Sequence, residues 1–238
     1  MLFDLKGKRR RTVQATYLML AVLMGVGLVA FGIGSSVNGG LFDAFKGGGG
    51  SNKADEAIQK RIDAAERTLQ TNPRNTAALA SLTRAHYQMA TSTADSQTSD
   101  FTAKSLPELQ KTAASWERYT KVAKKPDPSL ARLVMQAYDG MGRLQKGSPE
   151  KAKQAWAGAA SAAETAAAAA PRSQNYIVLV LYATLAGQTR KADLAGKQAI
   201  ALAPKSQKKQ AKQAVQQAKA AAATQGQGGQ PAPAGPAP

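Results

Sequence analysis

Apolar and polar positions follow two different rhythms along this chain. Thr12 to Ile33, TVQATYLMLAVLMGVGLVAFGI, is apolar with no charge, and Gln14 is its only strongly polar side chain. From Asn52 onward the apolar positions recur three and four residues apart, first as Ile58, Ile62, Ala65 and Leu69. That spacing marks one face of a helix. The first pattern predicts a membrane span and the second a helical domain, and Gly34 to Asn52, GSSVNGGLFDAFKGGGGSN, separates them as a flexible tether.

The 22 residues of the apolar run extend roughly 33 Å as a helix, enough for a bilayer core of about 30 Å. The run is longer than a signal-peptide core of about 7–15 residues, and GSSVNGG after it offers no A-x-A cleavage site. An uncleaved anchor is therefore expected over 12–34. Lys6, Lys8, Arg9, Arg10 and Arg11 precede it, whereas Lys46 is the only basic residue between the run and Lys53. This asymmetry places the N-terminal residues 1–11 in the cytoplasm, against anionic lipid, and the domain beyond residue 34 outside the cytoplasmic membrane.

Proline and capping residues divide the remainder into helices. The first begins at Asn52, with Asp55 completing a capping box, and ends before Pro73. The second runs from Thr76 to about Ala90 with Leu79, Leu82, His86 and Met89 on one face. Thr91 to Lys104 is polar and aperiodic, a surface loop or mobile lip. Ser105 as N-cap and Glu108 at N3 start the third helix, Asp127-Pro128 the fourth and Ser148-Pro149 the fifth, which is stopped by Pro171. Ser173 to Ala186 is apolar nearly all round and is predicted to be the most buried helix of the domain. Arg190 to Ala203 follows, then a Lys/Gln/Ala helix suited to closing a stack over 207–223. Residues 224–238 form a disordered Pro/Gly tail.

Composition supports an all-α reading. Alanine is abundant, β-branched runs are scarce outside the anchor, and there is no cysteine, so helix packing alone must carry stability. The heavy use of alanine points to a GC-rich bacterial genome. Net charge is +17, of which 21 basic and 13 acidic residues fall between Lys53 and Pro204. Nucleic acid is not the expected partner, because no recognition motif or set of stacking aromatics accompanies the charge.

Helices arriving in proline-terminated pairs carry an internal period. Ser173 to Ser206 spans 34 residues, with Tyr176, Leu179, Val180 and Ala183 on its first helix and Ala192, Gly196, Ala199 and Pro204 on its second. This unit resembles the tetratricopeptide repeat, in which small residues at the crossing let paired helices approach. Leu79, Leu82 and Tyr87 recur as Leu130, Leu133 and Tyr138, an offset of 51 stretched by the loop after Ala90. The resemblance implies an antiparallel helical-hairpin solenoid over 53–206. It further implies a protein-binding groove lined by first helices, with Arg84, Tyr87, Gln88, Arg132, Met135, Tyr138 and Asp139 at the matched positions. Ile177 and Leu181 occupy such positions in the third unit, where the C-terminal helix is expected to cover them. The Lys/Asn clamp with which some family members hold a C-terminal carboxylate is not present.

Catalytic chemistry finds little material. One histidine and no cysteine exclude thiol–imidazole pairs, and scattered acids form no metal cluster. His86 falls where the repeat places a packing residue, and Trp116 and Trp156 fall at core positions of second helices. The expectation is a non-enzyme without cofactor, metal or small-molecule substrate: a single-pass scaffold, assembly factor or chaperone-like adaptor that binds other proteins. The alternative is a structural envelope protein whose basic domain binds anionic wall or lipid polymers.

Overall fold

A computed structural model describes residues 50–226. The chain divides at Lys53–Ala54 into two units, and the described residues fall almost entirely in the second. The expected span, its basic flank, most of the tether and the tail beyond Gly226 lie outside the described residues. Among the described residues no helix is long and apolar enough to cross a membrane.

Those residues are all-α. The helices are α1 (Gly50–Thr71), α2 (Thr76–Ser92), α3 (Leu106–Val122), α4 (Pro128–Leu144), α5 (Pro149–Ala169), α6 (Ser173–Leu185), α7 (Thr189–Leu202) and α8 (Lys208–Gly226). Short 3-10 turns at Ala103–Ser105 and Lys205–Gln207 precede α3 and α8. Helices pack chiefly as pairs, α2 with α3, α4 with α5 and α6 with α7, while α8 lies mainly on α6.

Several starts follow the local chemistry of the sequence. The Asn75 side chain accepts from Ala78 N–H at 2.9 Å, and Asp127 accepts from Ser129 N–H at 2.8 Å ahead of Pro128. Each satisfies a donor that the first helical turn leaves free. Other starts differ. Gly50–Asn52 are already helical, so Asn52 is not the cap of α1, and Asp55 Oδ1 is buried without a hydrogen-bond partner. Ser105 is helical and caps nothing; its hydroxyl instead completes a capping box with Thr102, three residues upstream. The preceding loop is tied down rather than loose. Thr102 Oγ1 donates to Thr93 O at 2.9 Å, Thr93 Oγ1 to Ser105 Oγ at 2.9 Å, and Asp95 organises a turn through Gln97 and Thr98 N–H.

The core has two main parts sharing one helix. Ala159, Ala162 and Ala166 of α5 pack with Leu79, Trp116, Leu130 and Val134. Ala160 and Ala163, on the next strip of the same helix, pack with Leu179, Val180, Ala183 and Ala199. The most buried helix is thus not α6, with four buried residues, against nine in α5 and eight in α2. Methyl side chains let helices close in on α5 from both sides, while the larger residues of α6 are only partly covered by the alanines and Val215 of α8. Gly196 of α7 serves the same purpose: a Cβ there would stand 3.0 Å from Val215 Cγ1 and 3.8 Å from Val180 Cγ2.

Gly187 ends α6 at φ +73°, with Gln188 N–H bonded to Ala183 O at 2.8 Å and Gly187 N–H to Thr184 O at 2.9 Å. This left-handed stop pairs carbonyls the helix leaves open. A Cβ on Gly187 would touch nothing within 4 Å, so the effect of Gly187→Ala is conformational alone. It should lower stability by about 1–2 kcal/mol, read as a lower urea midpoint with an unchanged slope.

Candidate functional site

The outer side of α2 and α4 brings together most of the residues expected to line a groove. Tyr87 of α2 donates its hydroxyl to Gln136 Oε1 of α4 at 2.7 Å, joining the first helices of two successive pairs. Its ring meets Phe101 edge-on, centroids 6.0 Å apart, and this partial burial pushes the phenol pKa up. Phe101 in turn rests on Gly140, where a Cβ would come within 3.0 Å of Cε2. The loop after α2 therefore contributes an aromatic to this surface.

The flanking polar groups are tied in pairs. Arg84 Nη2 contacts Asp127 Oδ2 at 2.6 Å, linking α2 to the N-terminus of α4. Gln88 Oε1 accepts from Arg61 Nη1 of α1 at 2.9 Å. Asp139 Oδ2 holds Arg143 Nε at 2.7 Å, which raises the guanidinium pKa. Burial together with the Asp139 charge moves the neighbouring Tyr182 of α6 up to about 12. Arg132 is exposed and has no carboxylate partner among the described residues.

Three expected groove positions lie elsewhere, and a fourth is divided. Tyr138 is 6% exposed and points to the other side of α4, donating its hydroxyl to Glu117 Oε1 of α3 at 3.1 Å with its ring over Gly158 of α5. Burial, then the Glu117 charge, raises its pKa far above the ordinary phenol value. Ile177 joins the second core beside Val215, and Leu181 packs with Leu185 and Ala222, so α8 covers the third unit. Met135 is partly buried against both main core clusters.

Tyr138 and Glu117 line a separate open cleft of about 670 Å³ between α3 and the junction of α4 with α5. Leu106, Leu144, Gln110 and Lys151 also line it. Its walls mix small apolar and neutral polar groups with one carboxylate and one ammonium.

A second titratable pair is buried between α2 and α3. His86 Nδ1 lies 2.7 Å from Glu108 Oε2, and Lys111 Nζ 2.6 Å from Glu108 Oε1. The histidine side chain is 6% exposed, so this contact fastens α2 to α3 and is out of reach of a substrate. Burial alone would raise the Glu108 pKa, but the hydrogen bonds from Lys111 and His86 outweigh it and hold the carboxyl below its ordinary value. The unfolded chain then binds this proton at higher pH than the folded one. Stabilisation from Glu108 is complete above an unfolded value of about 4.3 and is lost as pH falls through the lower folded value. The stability advantage of the protein over Glu108→Gln, measured by urea unfolding, should therefore shrink as pH falls below about 5.

No group of three or more His, Cys, Asp or Glu side chains able to hold a metal occurs among the described residues. Sequence reasoning missed Gln136, Arg143 and Phe101. Phe101 carried a signal, as the only large apolar side chain in the polar stretch from Thr91 to Lys104. Comparison of the chain with protein-family profiles, with curated proteins and with solved structures finds no match in any of the three.

Proposed function

We propose that this chain is a membrane-anchored scaffold or assembly factor whose tetratricopeptide-like module recognises other proteins through the outer side of α2 and α4. The observation that carries this reading is the Tyr87–Gln136 bond, which makes one surface of two first helices, edged by Arg84, Gln88, Arg132 and Asp139. The paired packing of the helices, the closure of the third pair by α8 and the small residues at the crossings support a solenoid of stacked hairpins. In such a stack the first helices line the partner-binding face. Arginine and tyrosine, with broad flat contact area and directional donors, are frequent anchors of protein interfaces.

The uncharged run from Thr12 to Ile33, with basic residues on its N-terminal side only, supports a single span that displays the module outside the cytoplasm. A Gly-rich stretch separates that run from the helical domain in the sequence.

Arg132 is the cleanest probe, because it is exposed and holds no other part of the fold. Arg132→Glu should reduce partner recovery on affinity purification from cross-linked native membranes at least fivefold while leaving thermal stability unchanged. Recovery of the same proteins in undiminished yield would overturn this assignment.

A further inference from the structure

We infer that the exposed side of α8 is a second interaction surface, built for a linear polyanion of the phosphate-polymer type. It goes beyond the protein-docking reading and stands on a different element. From Leu194 to Pro238 the chain has six lysines and no acidic residue. Lys197, Lys205, Lys208, Lys209 and Lys212 are exposed, and only the sixth, Lys219, is held by a carboxylate, that of Asp193 on α7.

Elsewhere four lysines are matched within the domain, Lys60 with Glu56, Lys111 with Glu108, Lys153 with Glu150 and Lys191 with Glu164, and the other lysines are interspersed with acidic residues along the chain, as the stretch from Leu194 is not. The cations of α8 are also aligned. At about 100° per residue, Lys208, Lys212 and Lys219 fall within about 40° of one another, and Lys209 lies at the edge of the same quadrant. Buried Ala211, Val215 and Ala222 occupy the neighbouring face and pack inward. Lys208, Lys209 and Lys212 beside that face stay exposed, whereas Lys219 is partly buried against α7 through Asp193. A closing helix needs a polar outer face, which a mixture of signs supplies equally well. One sign alone, held in a line, creates a field that concentrates polyanions.

The chemistry of the stripe selects among polyanions. A bilayer-seeking helix presents large apolar or aromatic residues to the interface. Val215 is the only large apolar residue of α8, and it is buried. Single-stranded nucleic acid is held by stacking as well as charge, and α8 has no aromatic residue. A flexible chain of phosphates asks only for spaced ammonium groups, and the stripe provides these.

The test uses the full-length protein in neutral detergent, with long-chain inorganic polyphosphate as probe. Amine-reactive footprinting read by mass spectrometry should show Lys205, Lys208, Lys209 and Lys212 at least threefold more protected by the polymer than Lys60 and Lys153. Protection should vanish at high salt. Replacing Lys208, Lys209 and Lys212 together by Gln should abolish protection of Lys205. The charge-matched change of Lys60, Lys153 and Lys191 to Gln should leave it intact. Equal protection of all surface lysines, or equal loss in both triple variants, would reduce the effect to net charge and overturn the inference. Protection by phosphatidylglycerol vesicles but not by polyphosphate would overturn it in favour of a lipid surface. Loss of partner recovery in Arg132→Glu with the footprint intact leaves this surface standing, so the two assignments fail separately.

Discussion

Replacing Trp156 by alanine should lower the stability of the helical domain by about 3–5 kcal/mol, the largest effect expected of any single change considered for this chain. Trp156 is 4% exposed and packs with Ala152, Leu185 and Ala222, so one ring joins α5 to α6 and α8. Its edge also lies against Gly142 of α4. Truncation leaves a cavity that alanine neighbours cannot fill, since methyl groups on rigid helices have no rotamer with which to move in. Trp156→Phe should cost less than half as much. It keeps an aromatic ring in place and removes the indole N–H, which is buried without a hydrogen-bond partner. An orphaned buried donor of that kind carries a penalty of about 1–3 kcal/mol, which the phenyl ring does not. Urea unfolding of the three proteins under one set of conditions checks the order Trp, Phe, Ala.

The second expectation reverses a general rule. Glycine to alanine inside a helix ordinarily stabilises by roughly 1 kcal/mol. At Gly142 and Gly158 it should instead destabilise by about 1–3 kcal/mol through overpacking. A Cβ on Gly142 would lie 2.6 Å from Trp156 Cε2 and 2.7 Å from Cδ1. A Cβ on Gly158 would lie 2.6 Å from Tyr138 Cδ1. Neither ring is free to step aside. Trp156 is enclosed by three helices, and Tyr138 is tethered through its hydroxyl to Glu117. The contact explanation makes a sharper claim about the pair. In a Trp156→Ala background the obstacle is gone, so Gly142→Ala should turn stabilising. A loss of equal size in both backgrounds would show that the indole is not the cause.

The glycines also show what the sequence can and cannot say. Helix limits were legible chiefly from proline, because backbone chemistry is local: Pro73, Pro128, Pro149, Pro171 and Pro204 each stand beside a helix end, whereas of the expected caps Asp127 serves and Asn52 and Ser105 do not. Burial was less legible, because it depends on which helix comes to lie alongside. The apolar sequence of α6 states that it wants cover, and only α8, with its thin alanine face, supplies it on one side. The alanines of α5 announce little individually, yet they form the centre of the domain because two layers close on them.

The same distinction runs through the docking surface. Tyr87 and Tyr138 stand at matched places in the proposed repeat but serve different sides. Tyr87 reaches Gln136 and Phe101 and packs, half-buried, on Ala90, Leu109 and Ala137, whereas Tyr138 turns to Glu117, where Gly158 leaves room for its ring. Spacing along the chain placed both tyrosines on helices, α2 and α4. The absence of a side chain at Gly158 of α5 decided which way Tyr138 turns.

The proposed docking surface is tested most directly by placing a photo-reactive amino acid in the full-length protein, in the cells that make it. Positions 132 and 136 report the outer side of α2 and α4, and exposed positions 161 on α5 and 190 on α7 serve as comparison. The account predicts discrete protein adducts on illumination from 132 and 136 and none from 161 and 190. Adducts from all four in equal yield, or from the comparison positions alone, would contradict it.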